Sequence, residues 1–294
     1  MIARLLLLVG LLAGCQSEPR AAAPAPGLIE ETLVHEGLTR RYQLRLPPHG
    51  GEGRRPLLIA LHGGLGQGAS FARLSGLASL PETADWVLVF PDGRQRSWNA
   101  GGCCGPAMRA GVDDVGFLSA LVETLVARHR VDPGRVHGTG FSNGAMLLQR
   151  AACERPGLFR AIAPVAGGLM LPACAAREGP AVFLLQGRED ARIPWEGGVF
   201  EGSPRPSMQA MARLWGERNR CDLGAPVTVH SPAPAGCQRW SGCADGRPVQ
   251  WCGLAGVGHQ WPGGQTVLPQ RLGPNTASYS ASREILAFFQ GLAP

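Results

Sequence analysis

Lysine is absent from this chain of 294 residues, so its 28 basic side chains are all arginines. The formal net charge of +6 makes an anionic partner such as nucleic acid worth testing. However, the arginines are scattered and form no dense run, and aromatic residues (6% of the chain) form no stripe among them. Nucleic-acid surfaces concentrate both kinds of side chain. We therefore predict no nucleic-acid partner and attribute the arginines to a compositional bias.

The usual signatures of metal and nucleotide sites are also missing. The chain has no Cys-x-x-Cys pair and no histidine-rich cluster, which are the patterns of zinc sites. Glycines crowd residues 62–68, but the Lys-Ser or Lys-Thr that completes a phosphate-binding loop does not follow them. The sequence therefore predicts neither a metal nor a cofactor.

Long apolar runs are missing except near the N terminus. Residues 5–12 are apolar and follow Arg4, but eight residues are too few to cross a bilayer, so they have the form of a signal peptide. Residues 12–15 have the form of a bacterial lipobox, which is cut before Cys15, and that cysteine is then lipidated. The alternative is an ordinary cleaved signal in which Cys15 is incidental.

These features predict a plan of three segments. Residues 1–14 are the lipoprotein signal peptide, residues 15–27 a tether rich in alanine and proline, and residues 28–294 one domain. The membrane is then a partner through the lipid on Cys15. We expect an exported protein, either anchored in the periplasm or at the cell surface, or secreted.

The remaining cysteines are predicted to form disulfide bonds, because an even number of cysteines in an exported protein favours such bonds. They are Cys103, Cys104, Cys153, Cys174, Cys221, Cys237, Cys243 and Cys252.

One pairing can be predicted from a hairpin. Two predicted strands flank a turn at residues 244–246 and would bring Cys237 opposite Cys252. Cys221 is then left for Cys243. The partners of the other four cysteines stay open, including a strained bond between the two that are adjacent.

Apolar strands alternate with amphipathic helices along the domain. The unbroken apolar run at residues 56–61 is typical of a strand covered on both faces. Further strands are predicted at residues 86–90, 135–139, 161–165 and 181–186, and helices at residues 114–130, 143–154, 207–218 and 278–290. An antiparallel hairpin at residues 32–46 precedes them. This pattern predicts an α/β fold, a mostly parallel central sheet flanked by helices, whose ligands lie beyond the carboxyl ends of the strands.

A G-x-S-x-G motif supplies the candidate nucleophile. Gly140 and Gly144 flank Ser142, a predicted strand precedes the motif and a predicted helix follows it. This is the context of a nucleophile elbow, a tight turn that presents a hydroxyl at the edge of the sheet. The glycines are needed because side chains at those positions would collide with the strand or the helix.

A serine hydroxyl needs a base, and the base needs a carboxylate that fixes its tautomer. Glu189 and Asp190 both follow the strand at residues 181–186. His259 lies in the glycine-rich loop at residues 256–264, where the alternative is a surface histidine without a catalytic role.

The oxyanion formed during acyl transfer needs backbone donors. The N–H of Asn143 follows the nucleophile and is one candidate. The second is expected from the loop after the strand that ends at Leu61, from Gly64 or the adjacent Leu65. We interpret His62 as a structural hydrogen-bonding residue.

Seven segments together resemble the secreted esterases that include polyhydroxybutyrate depolymerases, feruloyl esterases and acetyl xylan esterases. They lie at residues 61–64, 91–93, 97–104, 112–118, 139–146, 161–167 and 258–264. The resemblance implies an α/β-hydrolase fold with Ser142 as nucleophile, Asp190 as acid and His259 as base, in the chain order of that fold. The chain departs from the family where residues 186–189 replace a usual His-Gly-Thr and where Gln260 replaces a common threonine.

The sequence thus predicts an exported serine esterase that forms an acyl-enzyme on a carboxylic ester, which could be polymeric. The esters implied by the resemblance are of the polyhydroxybutyrate type or feruloyl and acetyl esters. Trp98 and Trp261 either stack on an aromatic or sugar group of the substrate or serve as packing. A peptidase on the same fold and a non-catalytic binding lipoprotein are the alternatives.

Overall fold

One large sheet forms the centre of the computed structural model, which describes residues 27–48 and 53–292. Its strands are β1 Ile29–His35, β2 Leu38–Arg45, β3 Arg55–Leu61, β4 Val87–Pro91, β5 Val131–Phe141, β6 Ala161–Val165, β7 Ala181–Gly187, β10 Asp222–Val229, β11 Ala235–Ser241 and β12 Val249–Leu254, while β8 Gly198–Phe200 and β9 Ser203–Arg205 form a separate pair. The helices are α1 Gly68–Ser75, α2 Gly105–Arg109, α3 Asp114–Arg128, α4 Asn143–Glu154, α5 Met208–Arg218, α6 Pro269–Leu272 and α7 Ala281–Gln290.

The predicted signal peptide, Cys15 and the tether up to residue 26 lie outside the described residues. The predicted division into signal, tether and domain therefore stays a prediction. Within residues 27–48 and 53–292, helices are too short or too polar to cross a membrane.

The sheet is parallel in its middle and antiparallel at both edges. The spatial order is β1-β2-β4-β3-β5-β6-β7-β12-β11-β10. All neighbours from β4 to β12 are parallel, whereas β1, β2, β10 and β11 pair antiparallel. The predicted α/β fold, with its mostly parallel sheet and N-terminal antiparallel hairpin, is confirmed.

The unbroken apolar run of β3 is explained by the two cores on either side of the sheet. Leu57 and Ile59 belong to the core under α3, α4 and α5, whereas Leu58 and Ala60 belong to the core under α1 and α7. Successive side chains of a strand point to opposite faces, so a strand covered on both faces must be apolar throughout.

Several elements have no counterpart in the sequence-based prediction. The edge strand β10 is mostly exposed, contains Pro226, and its register shifts between Asp222 and Val227. Because a strand of this kind has neither an apolar run nor a regular alternation, its sequence does not distinguish it from a loop. The short β8, β9, α1 and α2 were likewise not predicted.

Four disulfide bonds join all eight cysteines of the domain. Cys237 lies opposite Cys252 in the register of β11 and β12 and is bonded to it, and Cys221 is bonded to Cys243. These are the pairs expected from the hairpin. The pairs that the sequence left open are Cys153–Cys174 and the adjacent Cys103–Cys104.

Candidate active site

Ser142 lies on a sharp turn between the end of β5 and the start of α4. Its φ of 53° and ψ of −118° fall in a region that residues other than glycine rarely occupy. A Cβ at Gly140 would lie 2.8 Å from the carbonyl carbon of Gly144, and one at Gly144 would lie 2.5 Å from the carbonyl oxygen of His62. The two glycines are therefore required by the close approach of strand, turn and neighbouring loop.

His259 connects Ser142 to Asp190. Its Nε2 lies 2.9 Å from Ser142 Oγ, and its Nδ1 lies 2.7 Å from Asp190 Oδ2. His259 and Asp190 are 4% and 3% exposed. An ionised carboxylate only accepts, so the Nδ1 proton is donated to Asp190 and the lone pair of Nε2 is left to accept the Ser142 proton. These three side chains have the geometry of a nucleophile, a base and an orienting acid.

The three side chains meet because their strands are parallel. Ser142 follows β5, Asp190 follows β7, and the loop with His259 follows β12, which pairs with β7. The carboxyl ends of parallel strands share one edge of the sheet, so residues far apart in the chain come together there.

The two candidate carboxylates of the acid loop have different partners. Asp190 reaches the imidazole, and its other oxygen accepts the N–H groups of Arg192 at 2.8 Å and Ile193 at 2.9 Å. Glu189 instead accepts the N–H of Val257 at 2.9 Å and donates its own N–H to the Val257 carbonyl. The structure thus brings Asp190, and not Glu189, to His259, while Glu189 ties the acid loop to the histidine loop.

The departures of residues 186–189 from the family pattern do not reach the imidazole. The Gln186 amide donates to the carbonyl of Ile193, inside the acid loop. The Arg188 guanidinium lies over the ring of Trp195, 3.7 Å from its centroid, in a cation–π contact. Both side chains therefore support the loop that carries Asp190.

Gln260 braces the histidine loop. Its side chain is 2% exposed, donates to the carbonyls of Val267 at 2.8 Å and Gly273 at 2.9 Å, and accepts the N–H of Val267 at 3.0 Å. The N–H of His259 itself donates to the Leu272 carbonyl. A neutral amide with both ends engaged fixes the loop beside His259. The sequence showed only that Gln260 replaces a threonine, so this role was missed.

Asn143 is held by a reciprocal pair of buried hydrogen bonds. Its Oδ1 accepts the N–H of Trp98 at 2.7 Å, and its Nδ2 donates to the Trp98 carbonyl at 3.0 Å. Asn143 is also the first residue of α4, where the helix dipole favours negative charge. Its side chain thereby fixes the backbone whose N–H is the candidate oxyanion donor.

Of the two candidates for the second donor, Gly64 is the better placed. The N–H of Leu65 already donates to the carbonyl of Arg96 at 2.8 Å. Gly64 is exposed, and a Cβ on it would lie 4.0 Å from the Cβ of Asn143. Gly64 therefore lies beside Asn143, on the same side of the turn.

His62 forms structural hydrogen bonds beneath the oxyanion loop. Its Nε2 accepts the N–H of Gly93 at 2.9 Å, and its Nδ1 lies 2.7 Å from the carbonyl oxygen of Gly63. Burial lowers the pKa of His62 to about 4, so the ring is neutral near pH 7. A neutral ring with both nitrogens engaged in this way positions the loop and has no free nitrogen for proton transfer.

Trp98 and Trp261 are packing residues in this structure. Their exposed fractions are 0% and 1%. The indole of Trp98 donates to the His62 carbonyl at 2.9 Å, and that of Trp261 donates to Ser282 Oγ at 3.0 Å. The expectation that they stack on a substrate is therefore replaced by its alternative, since neither ring reaches the surface of the site.

Within the described residues, one group of possible metal ligands lies at the end of β1 and the start of α3. Ligand atoms of His35, Glu36 and Asp113 are within 4.8 Å of one another. However, Asp113 caps α3 by accepting the N–H of Gly116 and uses its other oxygen for His35. The cluster thus has a structural role, because it joins the end of β1 to the start of α3.

Comparisons with known proteins find a matching esterase family and esterase relatives. The family described as esterase PHB depolymerase matches residues 40–192. A putative esterase, NocK, of Nocardia uniformis subsp. tsuyamanensis is 31% identical over 272 residues, which cover 84% of this chain and 77% of that protein. Feruloyl esterase B of Piromyces equi is 29% identical over 71% of this chain and 40% of its own length. Poly(3-hydroxyalkanoate) depolymerase C of Paucimonas lemoignei is 34% identical over 41% of this chain and 30% of its own length.

Solved structures show the same fold at low sequence identity. An acetyl xylan esterase from Aspergillus awamori superposes with a TM-score of 0.62 at 15% identity, over 88% of this chain and 99% of that one. Esterase 2 of Thermogutta terrifontis superposes with a TM-score of 0.56 at 15% identity, over 92% and 96% of the two chains. This chain thus spans less than half of two of the relatives it matches by sequence, and nearly the whole of these two structural neighbours.

Proposed function

This chain belongs to the PHB depolymerase family of esterases and is a carboxylic ester hydrolase, and we propose that it works through a Ser142-His259-Asp190 triad and an acyl-enzyme. The observation that carries the proposal is the pair of hydrogen bonds from one imidazole to Ser142 and to Asp190. These residues are 117 and 69 positions from His259 in the chain. A purely structural role does not explain why the hydroxyl stands on a strained turn with an aligned base.

The proposed reaction follows from the position of each atom. Ser142 Oγ attacks the ester carbonyl while its proton passes to His259 Nε2, and Asp190 stabilises the imidazolium that forms. The N–H groups of Asn143 and Gly64 bind the oxyanion. His259 then protonates the leaving alcohol, and a water molecule activated by the same nitrogen releases the acyl group from Ser142.

We propose esters with an apolar acyl part as substrates, of the polyhydroxybutyrate type or feruloyl and acetyl esters. Large exposed apolar side chains lie on three segments that continue from the catalytic loops. Leu65 follows the candidate oxyanion donor, Val199 lies in β8 after the acid loop, and Leu268 follows the histidine loop, with exposed fractions of 76%, 69% and 59%. Such side chains favour contact with an apolar chain or ring over contact with a charged substrate.

We further propose export and anchoring through a lipid on Cys15. Four disulfide bonds require an oxidising compartment to persist. The signal peptide at residues 1–14, the tether at residues 15–27 and the domain at residues 28–294 complete this proposal. Mass spectrometry of the N-terminal peptide from the membrane fraction should find a diacylglyceryl group on Cys15, and an unmodified Cys15 would contradict the anchor.

Labelling with a fluorophosphonate tests the catalytic proposal directly. The probe reacts only with an activated serine, so we expect a single adduct on Ser142 and loss of labelling in the His259→Ala variant. Absence of an adduct would support a non-catalytic binding module. Methyl ferulate, acetylated xylan, hydroxybutyrate oligomers and matched amides should then be compared, because faster cleavage of the amides would identify a peptidase.

A further inference from the structure

A cavity lies at the edge of the sheet opposite Ser142. Its volume is about 540 Å³, within the roughly 300–1,000 Å³ range of small-molecule sites. It is lined by residues before or early in the parallel strands, among them Arg54, Arg55, Trp86, Arg135 and Arg160. This cavity therefore opens at the amino ends of the strands, and the candidate active site lies at their carboxyl ends.

The floor of the cavity is aromatic and contains a buried polar atom. The ring of His137 stacks on Phe289 with centroids 4.7 Å apart and lies 5.2 Å from the ring of Trp86. His137 is 4% exposed, and its Nδ1 has no hydrogen-bond partner among the described residues. Burial, aided by Arg135 and Arg160, lowers the pKa of His137 to about 3, so the ring is neutral near pH 7. A neutral ring nitrogen can donate a proton to an oxygen atom or accept one from it.

Positive charge dominates the rim. The lining contains four arginines but only two acids, Glu82 and Asp85. Asp85 pairs with Arg55, and Glu82 pairs with Arg283. Arg54 and Arg135 are exposed, and in residues 27–48 and 53–292 neither forms an ion pair. Two accessible guanidinium groups therefore lie over an apolar floor. Each guanidinium can donate two parallel hydrogen bonds to one anion, and phosphate is the anion that best matches this geometry.

The polypeptide reaches this same edge from its N terminus. Leu28 packs in the apolar core that also contains Trp86 and Phe289. Arg45 lies against Gly27 and donates a hydrogen bond to the carbonyl of Thr83. Thr83 lies in the chain between Glu82 and Ala84, which both line the cavity. Eleven residues, 16–26, lie between Cys15 and Gly27, and the twelve steps from one to the other span at most about 40 Å when extended. A lipid on Cys15 would therefore hold the amino edge, with its cavity, near the membrane surface.

We propose that this cavity binds the phosphate group of an anionic phospholipid in the membrane that holds the protein. The inference rests on the lipid anchor proposed above. Arg54 and Arg135 would bind the phosphate oxygens, and the aromatic floor would contact the glycerol carbons. Anionic lipids concentrate exposed arginines at a membrane surface, and a headgroup held at this edge points the catalytic edge outward, toward a polymeric or bulky ester.

Hydrogen exchange on the full chain tests the site. The lipidated protein is reconstituted into phosphatidylcholine vesicles with or without phosphatidylglycerol. We expect exchange in peptides covering residues 54–57 and 134–137 to be about tenfold slower when phosphatidylglycerol is present. The double variant Arg54→Gln/Arg135→Gln should lose that difference. The charge-matched variant Arg94→Gln/Arg109→Gln, with both changes at the carboxyl edge, should keep it.

Two results would overturn the proposal. Equal exchange in both kinds of vesicle would show that the cavity does not bind the lipid headgroup. Protection of the same size by dissolved glycerol 1-phosphate would show a site for free phosphate esters and not for membrane lipid. A failure of the lipid anchor is detected separately, because an unlipidated protein would not remain bound to neutral vesicles. Hydrolysis of a p-nitrophenyl ester in the same sample reports on the triad.

Discussion

The two edges of the parallel sheet carry charge in opposite ways. At the carboxyl edge, Asp190 is 3% exposed and accepts three hydrogen bonds, so its charge is fully engaged and its position fixed. At the amino edge, Arg54 and Arg135 are exposed around a cavity. A reacting site gains from buried, immobile charge, because the groups are then already oriented for the transition state. A surface that meets an anionic partner needs charge that the partner can reach.

The largest expected effect separates the two edges most sharply. Ser142→Ala removes the proposed nucleophile, so hydrolysis of p-nitrophenyl butyrate should fall by about 10⁵-fold. Folding and the phosphatidylglycerol-dependent exchange at the amino edge should not change. Ser119→Ala, on α3 with its hydroxyl bonded to the Val115 carbonyl, is the matched control and should keep its turnover. Comparable turnover in the two variants would remove Ser142 from the mechanism.

Within the carboxyl edge, neighbouring carboxylates should differ strongly. Asp190→Asn keeps the size of the side chain but donates a proton to His259 Nδ1 and stabilises the wrong tautomer, so kcat should fall by about 10⁴-fold. Glu189→Gln still accepts the N–H of Val257 and should cost about tenfold or less, because it acts only through the loop. Equal losses in the two variants would contradict the assignment of Asp190 as the orienting acid.

The same pair of carboxylates shows which parts of the site could be predicted from the sequence. The G-x-S-x-G motif identified the turn at Ser142, because the steric demand for glycine is local and leaves its mark in the sequence. Neither Glu189 nor Asp190 has such a mark. Asp190 was preferred because of the family resemblance, and the distances to His259 depend on how β7 and β12 pair.

The side-chain amides that support the site could not be predicted from the sequence for the same reason. The amides of Gln260 and Asn143 bond to backbone groups that are distant in the chain or on another loop. Their partners depend on how separate loops pack, so no local sequence pattern indicates these roles. The parallel sheet, by contrast, was predictable, since apolar runs such as that of β3 are a direct consequence of burial on both faces.

A pair of buried amides, one at each edge, should separate stability from activity. Asn143→Ala leaves the N–H of Trp98 without a partner and removes the shorter of the two hydrogen bonds to its carbonyl, so the free energy of unfolding should fall by about 1–3 kcal/mol. Its backbone donor loses its support, and kcat should fall by about 10²-fold. Asn219 clamps the carbonyls of Pro180 and Arg247 at the amino edge.

Asn219→Ala should therefore lose similar stability while kcat at a temperature well below unfolding stays within about twofold of the parent. Urea unfolding and steady-state kinetics on the same samples measure both quantities. A loss of kcat in Asn219→Ala as large as that in Asn143→Ala would show that the activity follows global stability, and the proposed support of the oxyanion donor would then be wrong.

The smallest expected effect concerns protonation at the amino edge. Because the pKa of His137 falls from 6.5 to about 3 on folding, the unfolded chain binds the proton more tightly than the folded chain between those values. The contribution of His137 to stability is then complete above about pH 6.5 and is lost as the pH falls toward 3, by up to about 1.4 kcal/mol per pH unit.

His137→Phe, which keeps an aromatic ring between Trp86 and Phe289, should flatten the fall in urea stability between pH 6.5 and pH 5 while leaving kcat at pH 7.5 unchanged. An undiminished slope in this variant would place the acid sensitivity elsewhere, with His62 the first group to examine, since burial lowers its pKa as well.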